Sequence, residues 1–297
     1  MADPNSIFDF YQRTDWDGAT QTRRRRYRRM ISLSHHITFF LAKRFPNAFP
    51  LIFVLGYPKS GTSWLCQLIA DYLKLPFPQH SILPIGFASV VHGHEAVSTK
   101  YRKGVYIYRD GRDVMVSSCN HWLKNKGSAR RSAFKADENQ TIRDLLPGFI
   151  KHSVRHPFAG RNNWGQHLDT FFRLDEEKFP GIKYEDLLSS PEKTLEGLIK
   201  NLLQNNEPID KRRIQATIER YSFTNQRRNS GKEENSMSYL RRGKQGDWMN
   251  HFTPESAQIF DKHYGTSLID AGYETDRGWV EEFSDRVTDN NENFGVN

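Results

Sequence analysis

The sequence predicts an α/β fold, a central parallel sheet flanked by helices, on three observations. The short continuous apolar run at 51–55, LIFVL, reads as a strand buried on both faces. It leads directly into a glycine-rich turn and then a helix, residues 64–73, with Leu65, Leu68, Ile69 and Tyr72 on one side. A second unit of the same design follows: a strand at 105–108, a turn with Gly111, and a helix from about Asp113. Repeated strand–turn–helix units join parallel strands, and such sheets take their ligands at the strand C-termini.

Before the first strand, residues 1–22 read as a loosely packed arm, followed by Arg23, Arg24, Arg25, Arg26, Arg28 and Arg29. In 31–45, Leu33, Ile37, Phe40 and Leu41 recur at helical spacing and mark one face of a helix. The plainer expectation packs that helix on the main domain with its basic end in solvent. The alternative lays residues 23–45 on an anionic membrane surface as a peripheral contact.

After the second unit, residues 127–165 are polar and basic, an irregular or helical insertion. Ser190 and Pro191 supply an N-cap and first-turn proline for a helix carrying Leu195, Leu198, Ile199 and Leu202. Residues 225–238 have loop composition and suit a mobile cover. Thr253 and Pro254 start a last helix by the same cap logic, and 281–297 read as an acidic, Asn-rich tail. The expected division is an arm at 1–50, one domain at 51–280 and that tail.

Composition narrows the function. With 37% hydrophobic and 26% charged residues, the chain is neither disordered nor collagenous. Its two cysteines, Cys66 and Cys119, cannot form a disulfide framework or a CxxC pair, which favours a reducing compartment. No apolar stretch is long enough to span a bilayer, so a cytoplasmic location is expected. The net charge of +8 favours anionic partners. No zinc-finger, RRM or basic-zipper pattern accompanies the arginine run, so no specific nucleic-acid partner is expected. No His/Cys/Asp cluster has metal-ligand spacing, and no metal is expected.

The turn after the first strand carries the chemistry. It reads Gly56-Tyr57-Pro58-Lys59-Ser60-Gly61-Thr62-Ser63-Trp64. A helix N-terminus leaves amide N–H groups unpaired and partly positive, so it favours an anion. Gly56 and Gly61 let the backbone curl round phosphate oxygens, Lys59 adds a full charge, and Ser60, Thr62 and Ser63 add hydroxyls. The glycine spacing is P-loop-like, but Thr62 stands where a P-loop places lysine, and the lysine comes earlier in the turn. That departure argues against an NTPase or small-molecule kinase, the main rival reading. A non-catalytic anion- or nucleic-acid-binding protein using the arginine run is the other.

At these residues the chain resembles a known family. YPKSGTSW looks like the 5′-phosphosulfate loop of sulfotransferases dependent on 3′-phosphoadenosine-5′-phosphosulfate (PAPS), usually YPKSGTTW, with only Ser63 departing. The segment from Tyr108 to Ser118 is similar to the family's 3′-phosphate motif. By that resemblance Arg109 and Ser117 bind the 3′-phosphate, and a guanidinium forking two phosphate oxygens suits the role. Arg112 and Asp113, read as a helix-start ion pair, are left out of the site. LRRGKQGDW at 240–248 looks like the family's RKGxxGDW, so Arg241, Arg242 and Gly243 would close over the same phosphate. Tyr184-Glu185-Asp186-Leu187 is like the family's YEDL, and Tyr221-Ser222-Phe223 falls where the family lines its adenine pocket. Trp64, Tyr184 and Phe223 would then flank the base, although Tyr221 replaces a small hydroxyl residue. The likeness runs in order from about 51 to 275 and implies a P-loop NTPase-like sulfotransferase fold with PAPS as cofactor and PAP as product.

The family takes its catalytic base from a K-T-H-like segment, and Val91-His92-Gly93-His94-Glu95 corresponds to it here. His94 then matches the base, with His92 the alternative. Histidine suits removal of a hydroxyl proton near neutral pH. The expected reaction is direct in-line transfer in which Lys59 stabilises charge on the bridging oxygen. The acceptor, a hydroxyl or amine on a carbohydrate, lipid-linked glycan or small molecule, is left open, as is the oligomeric state.

Overall fold

The computed structural model describes residues 21–78, 84–98, 100–124, 140–158, 162–174, 179–204, 207–230 and 245–293. Four strands, β1 (Leu51–Leu55), β2 (Ser89–Gly93), β3 (Gly104–Tyr108) and β4 (Gly181–Lys183), form a parallel sheet in the order β2-β1-β3-β4. The registers Leu55↔Gly93, Leu55↔Tyr106 and Tyr108↔Lys183 bring the strand ends to one edge. From β1 the chain first builds outward to β2, then crosses to place β3 on the other side. The strand order therefore reverses between β1 and β3, where open α/β sheets form their ligand crevice.

Eleven helices surround the sheet among the described residues: α1 (Gln21–Arg44), α2 (Thr62–Leu73), α3 (Gly111–Lys124), α4 (Ile142–Arg155), α5 (Trp164–Phe172), α6 (Tyr184–Ser189), α7 (Pro191–Leu202), α8 (Lys211–Arg220), α9 (Phe223–Ser230), α10 (Pro254–Asp270) and α11 (Trp279–Asn293). The pleat of β1 divides its side chains between two cores. Ile52 and Val54 pack with Val90, Val105 and Ile107 under α2, α7 and α8. Leu51, Phe53 and Leu55 face the opposite cluster, which holds Tyr106, Phe149, Ile150, Phe260 and Leu268. A strand apolar at every position is what such two-sided burial requires.

Several expectations are met and several corrected. Ser190 and Pro191 open α7, although the Ser190 side chain makes no cap bond. Thr253 opens α10 and its hydroxyl accepts from the Ser256 amide. The insertion holds α4, started by a capping box between Thr141 and Asp144, with Phe149 and Ile150 buried. Part of the expected loop at 225–238 is helical, since α9 runs to Ser230; residues 231–238 lie outside the described residues. Residues 281–293, read as tail, continue α11, because Phe283 is buried with its ring 5.2 Å from that of Trp248. Cys66 and Cys119 are buried free thiols.

The largest correction concerns α1. It begins ten residues before the expected start at 31, and its apolar stripe does not face the domain. Ser34, Thr38, Phe39 and Ala42 are the buried side, with Phe39 packed on Phe53 and Tyr101. Leu33, Ile37 and Phe40 are exposed on the other side, and Leu41 is half-buried. Periodicity locates an apolar face without saying what the face meets.

Arg112 and Asp113 do not pair with each other. Arg112 donates from Nε to both carboxylate oxygens of Asp110, from Nη2 to Oδ2 again, and from Nη1 to Glu274 at 2.5 Å. Its guanidinium lies 4.0 Å from the Trp248 ring centroid and 4.9 Å from that of Trp279. Asp113 instead accepts from the Gly246 and Trp248 amides, both at 2.9 Å, and fixes that segment to α3. Arg112 thus ties α3 to the C-terminal elements, and the Asp110 and Glu274 carboxylates hold its guanidinium in the charged form against the cost of burial. Arg112→Ala strips two carboxylates of their cation, and loss of one partner from a buried pair typically costs about 3–5 kcal/mol. A urea unfolding curve is expected to move to a clearly lower midpoint; an unchanged midpoint would show that the clamp contributes little.

Candidate active site

The turn between β1 and α2 sits in the crevice between β1 and β3. A Cβ on Gly56 would lie 2.5 Å from the Ile107 carbonyl oxygen of β3, so only glycine lets the turn cross there. Two residues take left-handed backbone, Lys59 at φ 75° and Gly61 at φ 92°. Gly61 is the N-cap of α2, and no side chain caps it. The first amides of α2 therefore keep their partial positive charge for another acceptor.

Two hydroxyls of the turn stand out. Ser60 Oγ and Thr62 Oγ1 are buried and have no hydrogen-bond partner. Unsatisfied buried hydroxyls are costly, and these two flank Gly61, the N-cap of α2. Beside them, Arg109 donates from Nη1 to the Lys59 carbonyl at 3.4 Å and approaches Asp113 at 3.5 Å from Nη2. Its guanidinium lies 4.5 Å from the Tyr184 ring centroid, and the same ring edge presses on Gly61. Burial, aided by the Arg109 charge, lowers the Lys59 ammonium to about 8. Two cations and a helix N-terminus thus converge on one small volume.

Strand β2 brings the histidines to the same edge. His94 directly follows β2, and its Nδ1 meets the Gly56 carbonyl at 2.8 Å. A carbonyl only accepts, so Nδ1 carries the proton and Nε2 keeps its lone pair. Burial, and secondarily the Lys59 charge, lowers the proton affinity of His94 although the Gly56 bond opposes this. The His92 ring stands edge-on to that of His94 at 4.5 Å, and its Nε2 is 3.5 Å from Ser63 Oγ.

Behind His94 lies a histidine that no motif singled out. His167 of α5 donates from Nε2 to the His94 carbonyl at 3.2 Å, while the Tyr106 hydroxyl donates to His167 Nδ1 at 2.6 Å. Burial lowers His167 to about 4, so it stays neutral and keeps this polarity. His121 lies one helical turn after Ser117 on α3, and partial burial, then the Lys59 charge, lowers its proton affinity.

The aromatic candidates gather beside the turn. Trp64 donates from its indole N–H to the Tyr221 carbonyl at 3.0 Å. Its ring lies 6.0 Å from Tyr184 and 5.0 Å from Phe223. A base sandwiched between two rings separates them by about 7 Å, so Trp64 and Phe223 are here in mutual contact. Ser117 is half-buried on α3. Arg241, Arg242 and Gly243 lie outside the described residues, but the segment that follows them is anchored through Asp113, the residue Arg109 touches. Among the described residues no group of three or more His, Cys, Asp or Glu side chains is placed to hold a metal ion.

Residues 88–272 match the sulfotransferase domain family. Human sulfotransferase 2A1 is 23% identical over 256 residues, covering 74% of this chain and 84% of that protein. Rabbit (Oryctolagus cuniculus) amine sulfotransferase is 25% identical over 258 residues, covering 74% of this chain and 81% of its own. Among solved structures, mouse sulfotransferase SULT7A1 complexed with PAP superposes with a TM-score of 0.62 at 18% identity, covering 85% of this chain and 95% of that one. Retinol dehydratase in complex with androsterone and inactive cofactor PAP gives 0.57 at 17% identity, covering 77% and 83%.

The turn is the most sequence-constrained part of the site. In Gly61→Ala a side chain would be held at positive φ with its Cβ 2.6 Å from the Tyr184 ring. Strain of that kind costs about 1–3 kcal/mol before the clash is counted. Thermal unfolding should show the loss, and a variant as stable as the parent would mean that the turn adopts another backbone.

Proposed function

The chain belongs to the sulfotransferase domain family, and on that premise we propose that it transfers a sulfuryl group from PAPS to a hydroxyl or amine acceptor. The observation that carries this reading is the pair of buried, unpartnered hydroxyls, Ser60 Oγ and Thr62 Oγ1, in an uncapped helix turn beside Lys59. Such a turn suits a tetrahedral anion better than a neutral ligand. PAPS supplies a sulfuryl group already bonded to a good phosphate leaving group. Ser60, Gly61, Thr62 and Ser63 hold its 5′-phosphosulfate, Arg109 and Ser117 its 3′-phosphate with Arg241, Arg242 and Gly243, and Trp64, Tyr184 and Phe223 its base.

His94 Nε2 takes the acceptor proton as the acceptor atom bonds to sulfur and the bond from sulfur to the bridging oxygen breaks. Lys59 neutralises the charge left on that oxygen. The Nδ1 bond to Gly56 fixes the tautomer that makes His94 a base, and His167 holds the main chain of His94 in place. His92, against Ser63, is better placed to contact the loop than the acceptor. The acceptor is a small molecule or glycan carrying a nucleophilic hydroxyl or amine.

The decisive test is titration calorimetry with PAP, followed by transfer from radiolabelled PAPS to pools of phenols, amines, sugars and lipids. A folded protein without affinity for PAP overturns the reading. Lys59→Ala is expected to lower kcat by about 10²-fold, while Arg109→Ala and Arg241→Ala mainly weaken PAP binding, each by about 1.5–3 kcal/mol. The free Lys59 is cationic below about 8 and neutral above it. PAP affinity should therefore decline as pH rises through 8, and Lys59→Arg should abolish that decline. An identical pH dependence in Lys59→Arg would exclude Lys59 as its source.

A further inference from the structure

We propose that α1 is a docking face for an anionic bilayer and sets the acceptor end of the sheet against the lipid surface. The docking itself does not depend on the transfer reading; that the edge it presents is the acceptor end rests on that reading. At 100° per residue, Met30, Leu33, Ile37 and Phe40 fall within about 80° of arc. These large apolar side chains are 52%, 62%, 38% and 66% exposed, and they form one stripe on the side of α1 away from the core. The buried side carries instead Ser34, Thr38, Phe39 and Ala42. Stable packing on the domain would normally place the larger apolar residues inward. Here the helix is anchored by Phe39 and by the Lys43–Glu95 ion pair at 2.8 Å, leaving the stripe outward.

Charge complementarity identifies the occupant. Residues 21–44 contain seven arginines and one lysine and no aspartate or glutamate. Arg26, Arg29 and Arg44 are exposed, and helical spacing puts them on the same side as the stripe, two before it and one after. An apolar band bounded at both ends by arginines matches the acyl boundary and phosphate layer of an anionic membrane. A second copy of α1 carries the same basic ends and would repel this one rather than pair with it. The placement also has a consequence. Glu95, held by Lys43, adjoins His94, and the exposed Phe87 follows the Pro84–Gly86 turn on which α1 packs. Docking through α1 therefore brings the edge of the sheet that carries the histidines close to the headgroups.

The test is flotation of the full-length protein with vesicles of phosphatidylcholine alone or mixed with phosphatidylglycerol, together with its mass in solution by light scattering. Binding is expected only to the mixed vesicles and should weaken with salt. Arg26→Gln with Arg29→Gln should weaken it on the order of tenfold, and Leu33→Glu with Phe40→Glu should abolish it. Both double variants change exposed positions, and an unchanged melting temperature and circular-dichroism spectrum would confirm their fold. Absence of flotation with the mixed vesicles overturns the proposal, as does flotation that Leu33→Glu with Phe40→Glu leaves intact. A dimer that this variant dissociates would assign the stripe to self-association and overturn it equally.

Discussion

Everything at this site depends on how the backbone turns between β1 and α2. Gly56 must pass β3 at a distance no side chain allows, and Gly61 must take a left-handed conformation under the Tyr184 ring. Together they aim the uncapped end of α2, two hydroxyls and Lys59 into one crevice. The same Tyr184 ring that excludes a side chain from Gly61 also supports the Arg109 guanidinium. The shape of the turn thus follows from packing, and the crevice is preorganised by contacts within the protein itself.

That preorganisation has an electrostatic cost. Burial, and then the nearby Arg109 charge, lowers the lysine to about 8, because the crevice tolerates its own positive charge poorly. Asp113 offsets part of this at 3.5 Å from Arg109, yet it is also engaged by two amides of the 246–248 segment. An anion placed between Lys59 and Arg109 would offset the repulsion between them. The proposed affinity for a multiply charged nucleotide rests on the same arrangement that makes the lysine unusual.

How much of this could be read from the residues depended on how local each feature is. The buried β1, its turn and α2 were legible, because a doubly buried strand needs apolar residues throughout and the turn needs its glycines. Strands β2 and β4 were not, since SVVHG and GIK are too short and too mixed to show a period. Their places come from pairing with β1 and β3, a tertiary fact. The stripe on α1 was found but its direction was not, because Phe39 and Ala42 on the opposite face carry the packing. Likewise Asn and Asp in α11 suggested a frayed tail, while one buried Phe283 against Trp248 anchors the helix.

The same distinction explains why the turn after β1 was easier to read than the histidines. The turn is written in contiguous residues, each close to a glycine or a helix start. His94 owes its tautomer to Gly56, its main-chain position to His167 and, through Glu95, its surroundings to Lys43, at sequence separations of 38, 73 and 52 residues. No spacing rule joins those positions. A histidine two residues away, His92, carries the same chemistry but meets Ser63 instead. What separates the two is whether a carbonyl or a hydroxyl faces the ring nitrogen, and only the folded sheet decides that.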